Sequence, residues 1–201
     1  MAGGSHGQRE RREEREGSAR AKARSAADDT GGTLAAHATR VAELAVRIAE
    51  SLELDLEHRR DVEVTALLHD VGKSVVPREI LDKPAPLTDA EWAVMQTHTV
   101  EGERLIEDLD GVPPRIGRMV RHSHERWDGC GYPDGLRGTT IPLASRVVFA
   151  ADAFDAMTSA RPYRAAMGVG SAVAELRRAA GRQFDPVVAE ALAVCVERGG
   201  S

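Results

Sequence analysis

The stretch His69-Asp70-Val71-Gly72-Lys73 gathers a nitrogen donor, a carboxylate and a cation. Its lead-in, Val62-Glu63-Val64-Thr65-Ala66-Leu67-Leu68, reads as a helix with Val62, Ala66 and Leu67 facing a core. A carboxylate at the end of an apolar helix needs a partner, because burying an unpaired charge is costly. A metal ion is one such partner: His supplies a neutral nitrogen, and Asp supplies an anionic oxygen that can bridge two ions. Gly72 lets the backbone turn, and Lys73 projects a fixed cation towards the same spot, where a phosphate would be accommodated. The plain alternative is a helix C-terminus, with Gly as the stop, Lys on the dipole, and His and Asp in solvent.

The elements that must position such a centre follow from hydrophobic spacing. From Leu34 a helical pattern runs through His37, Val41, Leu44, Ile48 and Leu52, which sets His37 on the inward face. A single inward His is ordinarily a hydrogen-bonded core residue. The next helix spans about residues 57–70, and Pro77, Pro84 and Pro86 then mark a loop. Thr88-Asp89-Ala90-Glu91 is a capping box opening a third helix, on which His98, Gly102 and Leu105 share a face. Pro113-Pro114 starts a fourth helix that carries Ile116, Met119 and Val120 and ends in His122-Ser123-His124-Glu125. Arg126 to Gly135 is turn chemistry throughout, a loop suited to presenting Tyr132, or one in which Trp127 and Tyr132 are packing plugs. Pro142 opens a long helix with Val147, Val148, Ala151, Asp152 and Asp155. Asp152 stands on an otherwise apolar face and calls for a cation opposite. Arg161-Pro162-Tyr163-Arg164 follows, then two last helices near residues 169–180 and 186–198, the second capped by Asp185-Pro186.

The bulk numbers agree with helices. Of 201 residues, 42% are hydrophobic but only 3% aromatic, so a core must be built from Leu, Val, Ile and Ala. The net charge of −5 argues against a binder of nucleic-acid polymers. Residues 1–30 hold seven Lys/Arg and six Asp/Glu, so the negative charge lies in the remainder. An acidic domain that handles a phosphate ester needs metal or local Lys/Arg to do it. Cys130 and Cys195 are in no ligand spacing and read as reduced thiols. No apolar run reaches the roughly 18 residues of a membrane span, and the N-terminus lacks a signal-peptide core, which makes the cytoplasm the expected location. The expected fold is all-α, a compact bundle of about seven helices over residues 33–198. Residues 1–32 are read as a disordered tail or linker, having almost nothing to bury.

His37, His69, Asp70, His98, His124 and Asp152 thus stand on or at the ends of inward-facing helices. A helical core would otherwise bury several polar groups without partners. Nitrogen and carboxylate donors without thiolate point to manganese, iron or another first-row ion, not to a structural zinc. One Asp shared by two ions gives a two-metal hydrolytic site.

In order, His69-Asp70-x-Gly72-Lys73, His98-x-x-x-Gly102, His124-Glu125-x-x-Asp128-Gly129-x-Gly131-Tyr132-Pro133, Ala151 to Thr158, Arg161-Pro162-Tyr163-Arg164 and Gly181 to Pro186 resemble the HD-GYP domain. That domain is a branch of the HD phosphohydrolase superfamily. The resemblance covers roughly residues 33–198. It implies an all-helical fold and a phosphodiesterase that uses a two- or three-metal centre, often iron or manganese, to hydrolyse the bacterial second messenger cyclic di-GMP. The implied attack is by a metal-bridging hydroxide, with linear pGpG or GMP as product. Carried over by motif, His37, His69, Asp70 and Asp152 match the ligands of a first metal, and Asp70, His98 and His124 those of a second. Lys73 matches the residue that meets the scissile phosphate, and Tyr132, Arg161 and Arg164 match substrate contacts. Two positions depart. Ser123 stands where the family has a His, so the second site is expected to be weak; Thr33 stands where three-metal members have a Glu. The alternatives are a module that binds cyclic di-GMP or, through the loop around Tyr132, a protein, without turnover, and a hydrolase of another nucleotide. A homodimer is left open.

Overall fold

The computed structural model describes residues 21–23, 32–160 and 165–199. Besides residues 21–23, which are helical, the described residues form nine α-helices: α1 Gly32–Ser51, α2 Leu56–Leu68, α3 Arg78–Leu81, α4 Asp89–Gln96, α5 His98–Glu107, α6 Pro114–Arg121, α7 Leu143–Thr158, α8 Val169–Ala179 and α9 Pro186–Gly199. Short 3₁₀ turns span Val71–Val75 and Gly138–Thr140. The described residues form no strand beyond an isolated bridge between Ala180 and Phe184.

The helices pack as the spacing predicts. Helix α2 lies between α1, α6 and α7, while α7 also meets α8 and α9. Val41 and Ile48 of α1, Val62, Ala66 and Leu67 of α2, and Val147, Val148 and Ala151 of α7 are all buried. The only buried aromatic residues among those described are Phe154 and Phe184, as a core made of aliphatic side chains requires. Helix starts follow local chemistry. Thr88 and Glu91 form the expected reciprocal capping box. Asp185 Oδ1 accepts from Val187 N at 2.8 Å, and Arg146 Nη1 holds its other oxygen at 2.5 Å.

The helix count differs from about seven for two reasons. A four-residue helix, α3, sits inside the Pro-marked loop, too short for periodicity to reveal. The expected third helix breaks at Thr97 into α4 and α5. There Thr97 Oγ1, His98 Nδ1 and Thr99 Oγ1 each donate to the carbonyl three residues back, those of Val94, Met95 and Gln96, at 2.7, 2.7 and 3.1 Å. Such bonds compete with the backbone ladder. Most of the stretch read as a tail lies outside the described residues. Residues 21–23 are helical, Ala23 is buried in the core, and Lys22 Nζ donates to the Asp110 carbonyl. No helix among the described residues is long and apolar enough to cross a membrane.

Gly72 is required by contact, not by a turn. Its φ lies outside the left-handed region. A Cβ there would fall 1.9 Å from the His98 carbonyl oxygen and 2.6 Å from Gly102 N. The turn after α2 therefore presses directly on the backbone of α5, which brings His69 and Asp70 beside His98. Gly72→Ala meets backbone atoms that cannot rotate away, and we expect it to lower unfolding stability by about 3 kcal/mol. Gly102→Ala, whose Cβ meets the Val120 Cγ1 methyl at 3.0 Å, should cost nearer ~1 kcal/mol. Urea unfolding of the two variants checks that order; a Gly72→Ala protein as stable as its parent would contradict the close approach.

Candidate metal centre

His69 is the C-cap of α2, Asp70 follows it, and both are buried. The solvated helix end is thereby excluded. His69 Nδ1 lies 2.7 Å from the Ala66 carbonyl, and His98 Nδ1 lies 2.7 Å from that of Met95. A carbonyl only accepts, so each Nδ1 carries the proton and each Nε2 presents a lone pair. His69 Nε2, His98 Nε2, His124 Nε2 and Asp70 Oδ1 are buried without a hydrogen-bond partner. Buried polar atoms are rarely left so. They converge: ligand-capable atoms of His37, His69 and Asp70, and of Asp70, His98 and His124, lie within 4.8 Å of one another in two groups that share Asp70. Asp70 Oδ2 is 3.5 Å from His69 Nε2, and its Oδ1 is 3.6 Å from His98 Nε2. Asp152 adjoins the first group, with Oδ1 3.1 Å from His37 Nε2.

The electrostatics suit cations. Burial pushes the His124 imidazole down to about 3 and lowers His98 in the same direction, so both are neutral donors at neutral pH. Burial works against the Asp70 carboxylate, but the surrounding imidazoles and Lys73 overcome it and hold it below the ordinary range. Lys73 Nζ is 2.6 Å from Asp70 Oδ2. Burial likewise opposes a charged Asp152, while the hydrogen bond from His37 and the neighbouring imidazoles hold it at about 2. The buried, unpartnered nitrogens and the shared carboxylate are therefore a donor set that fits divalent ions.

The sequence-predicted residues His37, His69, Asp70, Lys73, His98, His124, Tyr132 and Asp152 come together. The Tyr132 ring stacks on His124, with centroids 5.2 Å apart and planes at 16°. Burial, with Asp70 and Asp152 adding to it, raises the Tyr132 hydroxyl, which stays a donor. Trp127 is instead covered by the Arg146 guanidinium, 5.8 Å from its ring, as a packing residue. Arg161 and Arg164 lie outside the described residues. His122 points away from the centre, with Nε2 2.9 Å from Asp134 Oδ2. Ser123 is buried, and its Oγ lacks a partner. Glu125 is buried too, with Oε1 accepting from Asp134 N at 2.8 Å, and it joins neither ligand group.

Two features were missed. Asp155 accepts from His37 Nδ1 at 2.7 Å and is held by Arg40 Nε at 2.7 Å. It thereby orients His37 so that Nε2 faces Asp152, a carboxylate–histidine support typical of metal sites. Its place three residues after Asp152, on the same helix face, was the available signal. The second is a clasp over the Tyr132 loop. Arg121 binds both oxygens of Asp134 at 2.6 and 2.7 Å and reaches Glu103 at 3.1 Å. The loop is further stitched down by Trp127 N to Gln183 O and Asp128 N to Arg182 O. At Gly131 a Cβ would fall 2.3 Å from Arg126 N, so the fold admits only glycine there.

Fold and site together define a helical HD-type domain with two buried His/Asp groups that could hold divalent metal. The chain belongs to the HD-domain family, whose family profile, described as HD domain, matches residues 23–188. Within that family it is an HD-GYP protein. It is 44% identical over 164 residues to the cyclic di-GMP phosphodiesterase response regulator RpfG of Xanthomonas campestris, covering 81% of this chain and 43% of that protein. It is 38% identical over 141 residues to the 3′3′-cGAMP-specific phosphodiesterase 1 of Vibrio cholerae, covering 70% of this chain and 32% of that one. The chain thus spans less than half the length of these relatives. The fold is shared with Bd1817, an HDGYP protein of Bdellovibrio bacteriovorus, at TM-score 0.65 and 21% identity, covering 80% of this chain and 51% of that one.

Removing the clasp tests its role in the loop. Asp134→Ala leaves Arg121 and His122 without their shared carboxylate. It should cost about 1 kcal/mol of global stability, the scale of a partly exposed ion pair. Trypsin cleavage at Arg126 and Arg137 should speed up several-fold. Unchanged cleavage there would mean that the backbone bonds to Arg182 and Gln183 suffice.

Proposed function

We propose that this chain is a metal-dependent phosphodiesterase that hydrolyses cyclic di-GMP to linear pGpG, with GMP as the further product. One observation carries the reading: three buried imidazole nitrogens and an oxygen of Asp70 converge with no hydrogen-bond partner in a domain whose other buried polar groups are mostly paired. The names of the relatives from Xanthomonas campestris and Vibrio cholerae support the substrate class, a cyclic dinucleotide.

In this reading His37, His69, Asp70 and Asp152 hold one divalent ion, and Asp70, His98 and His124 hold another. Nitrogen and oxygen donors without sulfur favour iron or manganese. Two such ions supply Lewis acidity and water of lowered pKa beside the scissile phosphate. The chain's own residues do the rest. The lone-pair nitrogens are fixed by the carbonyls of Ala66 and Met95, so no reorganisation is needed at the moment of reaction. Lys73 Nζ, already at Asp70 and part-exposed, stabilises negative charge gathering on the phosphoryl oxygens as the bond to the 3′ oxygen breaks. Tyr132 remains protonated and offers a hydroxyl donor at the rim. Arg161 and Arg164 are assigned to phosphate and base through the motif they share with the family. Two free cysteines, Cys130 and Cys195, support action in the reducing cytoplasm.

Turnover of cyclic di-GMP with Mn²⁺, or with Fe²⁺ under anaerobic conditions, is the direct test; a protein that holds metal yet leaves the dinucleotide intact would refute the activity. Asp70→Ala should abolish metal retention in both positions, since one carboxylate serves both groups. Lys73→Ala should keep metal but slow turnover by about 10²–10³, the scale of one lost charge-stabilising donor. Metal content after dialysis, measured beside the rates, separates the two; full metal content in Asp70→Ala would sink its shared role.

A second reading, binding without turnover, is favoured by Ser123, buried and unpartnered where the family pattern has an imidazole. A hydroxyl is a far poorer ligand than imidazole for a first-row ion. The second position should therefore fill more weakly than the first, with activity that rises as Mn²⁺ is added. Ser123→His should tighten that position and raise turnover at limiting metal, and the gain should shrink at saturating metal. Two tightly held ions in the parent, with no gain from the substitution, would mean that another group already completes the position. A Ser123→His protein that holds two ions and remains inert would favour the binding reading.

A further inference from the structure

Helix α4 contains no buried residue, yet it carries Trp92 with 47% of its surface exposed. A single exposed apolar side chain needs no explanation; the position of this one does. Trp92 lies edge-on to Tyr132, with centroids 6.3 Å apart and planes at 80°. Tyr132 in turn stacks on His124 and stands 6.2 Å from His98. An aromatic path thus runs from the buried imidazoles to an open indole at the surface.

The backbone that carries that indole is held in place. Trp92 N donates to the Thr88 carbonyl at 2.8 Å. The adjacent Glu91 Oε2 accepts from Thr88 N at 2.7 Å, Thr88 Oγ1 at 2.9 Å and Lys83 Nζ at 2.5 Å. The first turn of α4 is locked by these bonds, with no contribution from core packing. At the other end of α4 the Met95 carbonyl orients the His98 ring, so the helix carrying the indole also sets a donor of the centre.

A cyclic dinucleotide that reacts at one phosphate cannot bring its bases into the donor cluster, where His69, Asp70 and His98 are already buried by protein. The bases must lie along the rim. We propose that Trp92 is a stacking platform for a purine base of the substrate, a role that rests on the phosphodiesterase reading above. Stacking on an indole tolerates any base, because every base has a π-face. Trp92 therefore adds affinity for purine cyclic dinucleotides as a class and does not choose guanine over adenine.

The test is steady-state hydrolysis of cyclic di-GMP at saturating Mn²⁺ by the parent, Trp92→Ala and Trp92→Phe, with metal content measured after dialysis. Trp92→Ala should raise KM by about tenfold or more, with a smaller change in kcat, and retain as much metal as the parent. Trp92→Phe, which keeps an aromatic face, should recover most of the loss. The chain has two tryptophans, so in a Trp127→Phe background the emission reports Trp92 alone. Cyclic di-GMP should quench it saturably and inorganic phosphate should not. A parent that turns over cyclic di-GMP, with Trp92→Ala within about twofold in KM and no quenching, overturns the stacking role alone. Equal loss of kcat and of metal in Trp92→Ala also overturns it, because α4 would then act only by setting His98. A parent that neither binds nor hydrolyses cyclic di-GMP overturns the phosphodiesterase reading and the stacking role with it.

Discussion

A buried carboxylate that two clusters of imidazole share is the constraint on which the rest of this fold depends. Asp70 stands at the end of α2, within 3.6 Å of Nε2 on both His69 and His98, with Lys73 at 2.6 Å. A charge so placed is tolerated only if cations surround it. The surrounding elements are arranged to that end. Gly72 lets the turn after α2 lie against the backbone of α5, and any side chain there would drive His98 away from Asp70. Helices α1 and α7 deliver His37 and Asp152, and the turn after α6 delivers His124. Packing density and site chemistry are therefore one problem here: a shift of α5 large enough to admit a methyl group would also separate the donors.

The imidazoles are oriented by two devices of different range. His69 and His98 each turn Nδ1 back to a carbonyl three residues earlier, so tautomer and ring direction follow from the local chain alone. His37 relies on tertiary structure, with Asp155 fixing Nδ1 and Arg40 fixing Asp155. The contrast matches exposure. His69 and His98 are buried, while His37 and Asp152 are part-exposed.

This difference in range also explains what the sequence could disclose. Val41, Val62, Ile116 and Val148 announce their helices because burial along a helix repeats every three to four residues. His37, His69, His98 and Asp152 could be placed on inward faces by the same count, and the motif order then grouped them. Helix α3 is one turn long and the break at Thr97 comes without Gly or Pro, so neither leaves a periodic trace. The clasp of Arg121 on Asp134 joins residues on either side of a loop, and Arg40 reaches Asp155 from another helix. Such pairs depend on how helices cross, which spacing along one helix does not encode. Gly72 was read for its flexibility, whereas its missing side chain is what matters, a distinction that only the position of α5 supplies.

Charge explains why the donors alone would make a poor receptor for their proposed substrate. The chain is acidic overall. At the centre Asp70 and Asp152 are both held ionised and His98 and His124 are held neutral; among the described residues, Lys73 is already engaged with Asp70, and His37, which burial would lower but the bonds to Asp152 and Asp155 raise, is engaged with Asp152. A phosphodiester brought there without further cations would meet carboxylates whose positive partners are already engaged, inside low-dielectric surroundings where repulsion is poorly screened. Divalent ions held by His37, His69, Asp70 and Asp152 and by Asp70, His98 and His124 would supply the positive charge that a phosphodiester needs there. The same two carboxylates that would repel the substrate are then what retains the charge that attracts it. An acidic domain would thus take its proposed nucleotide substrate through metals that its buried nitrogens could hold.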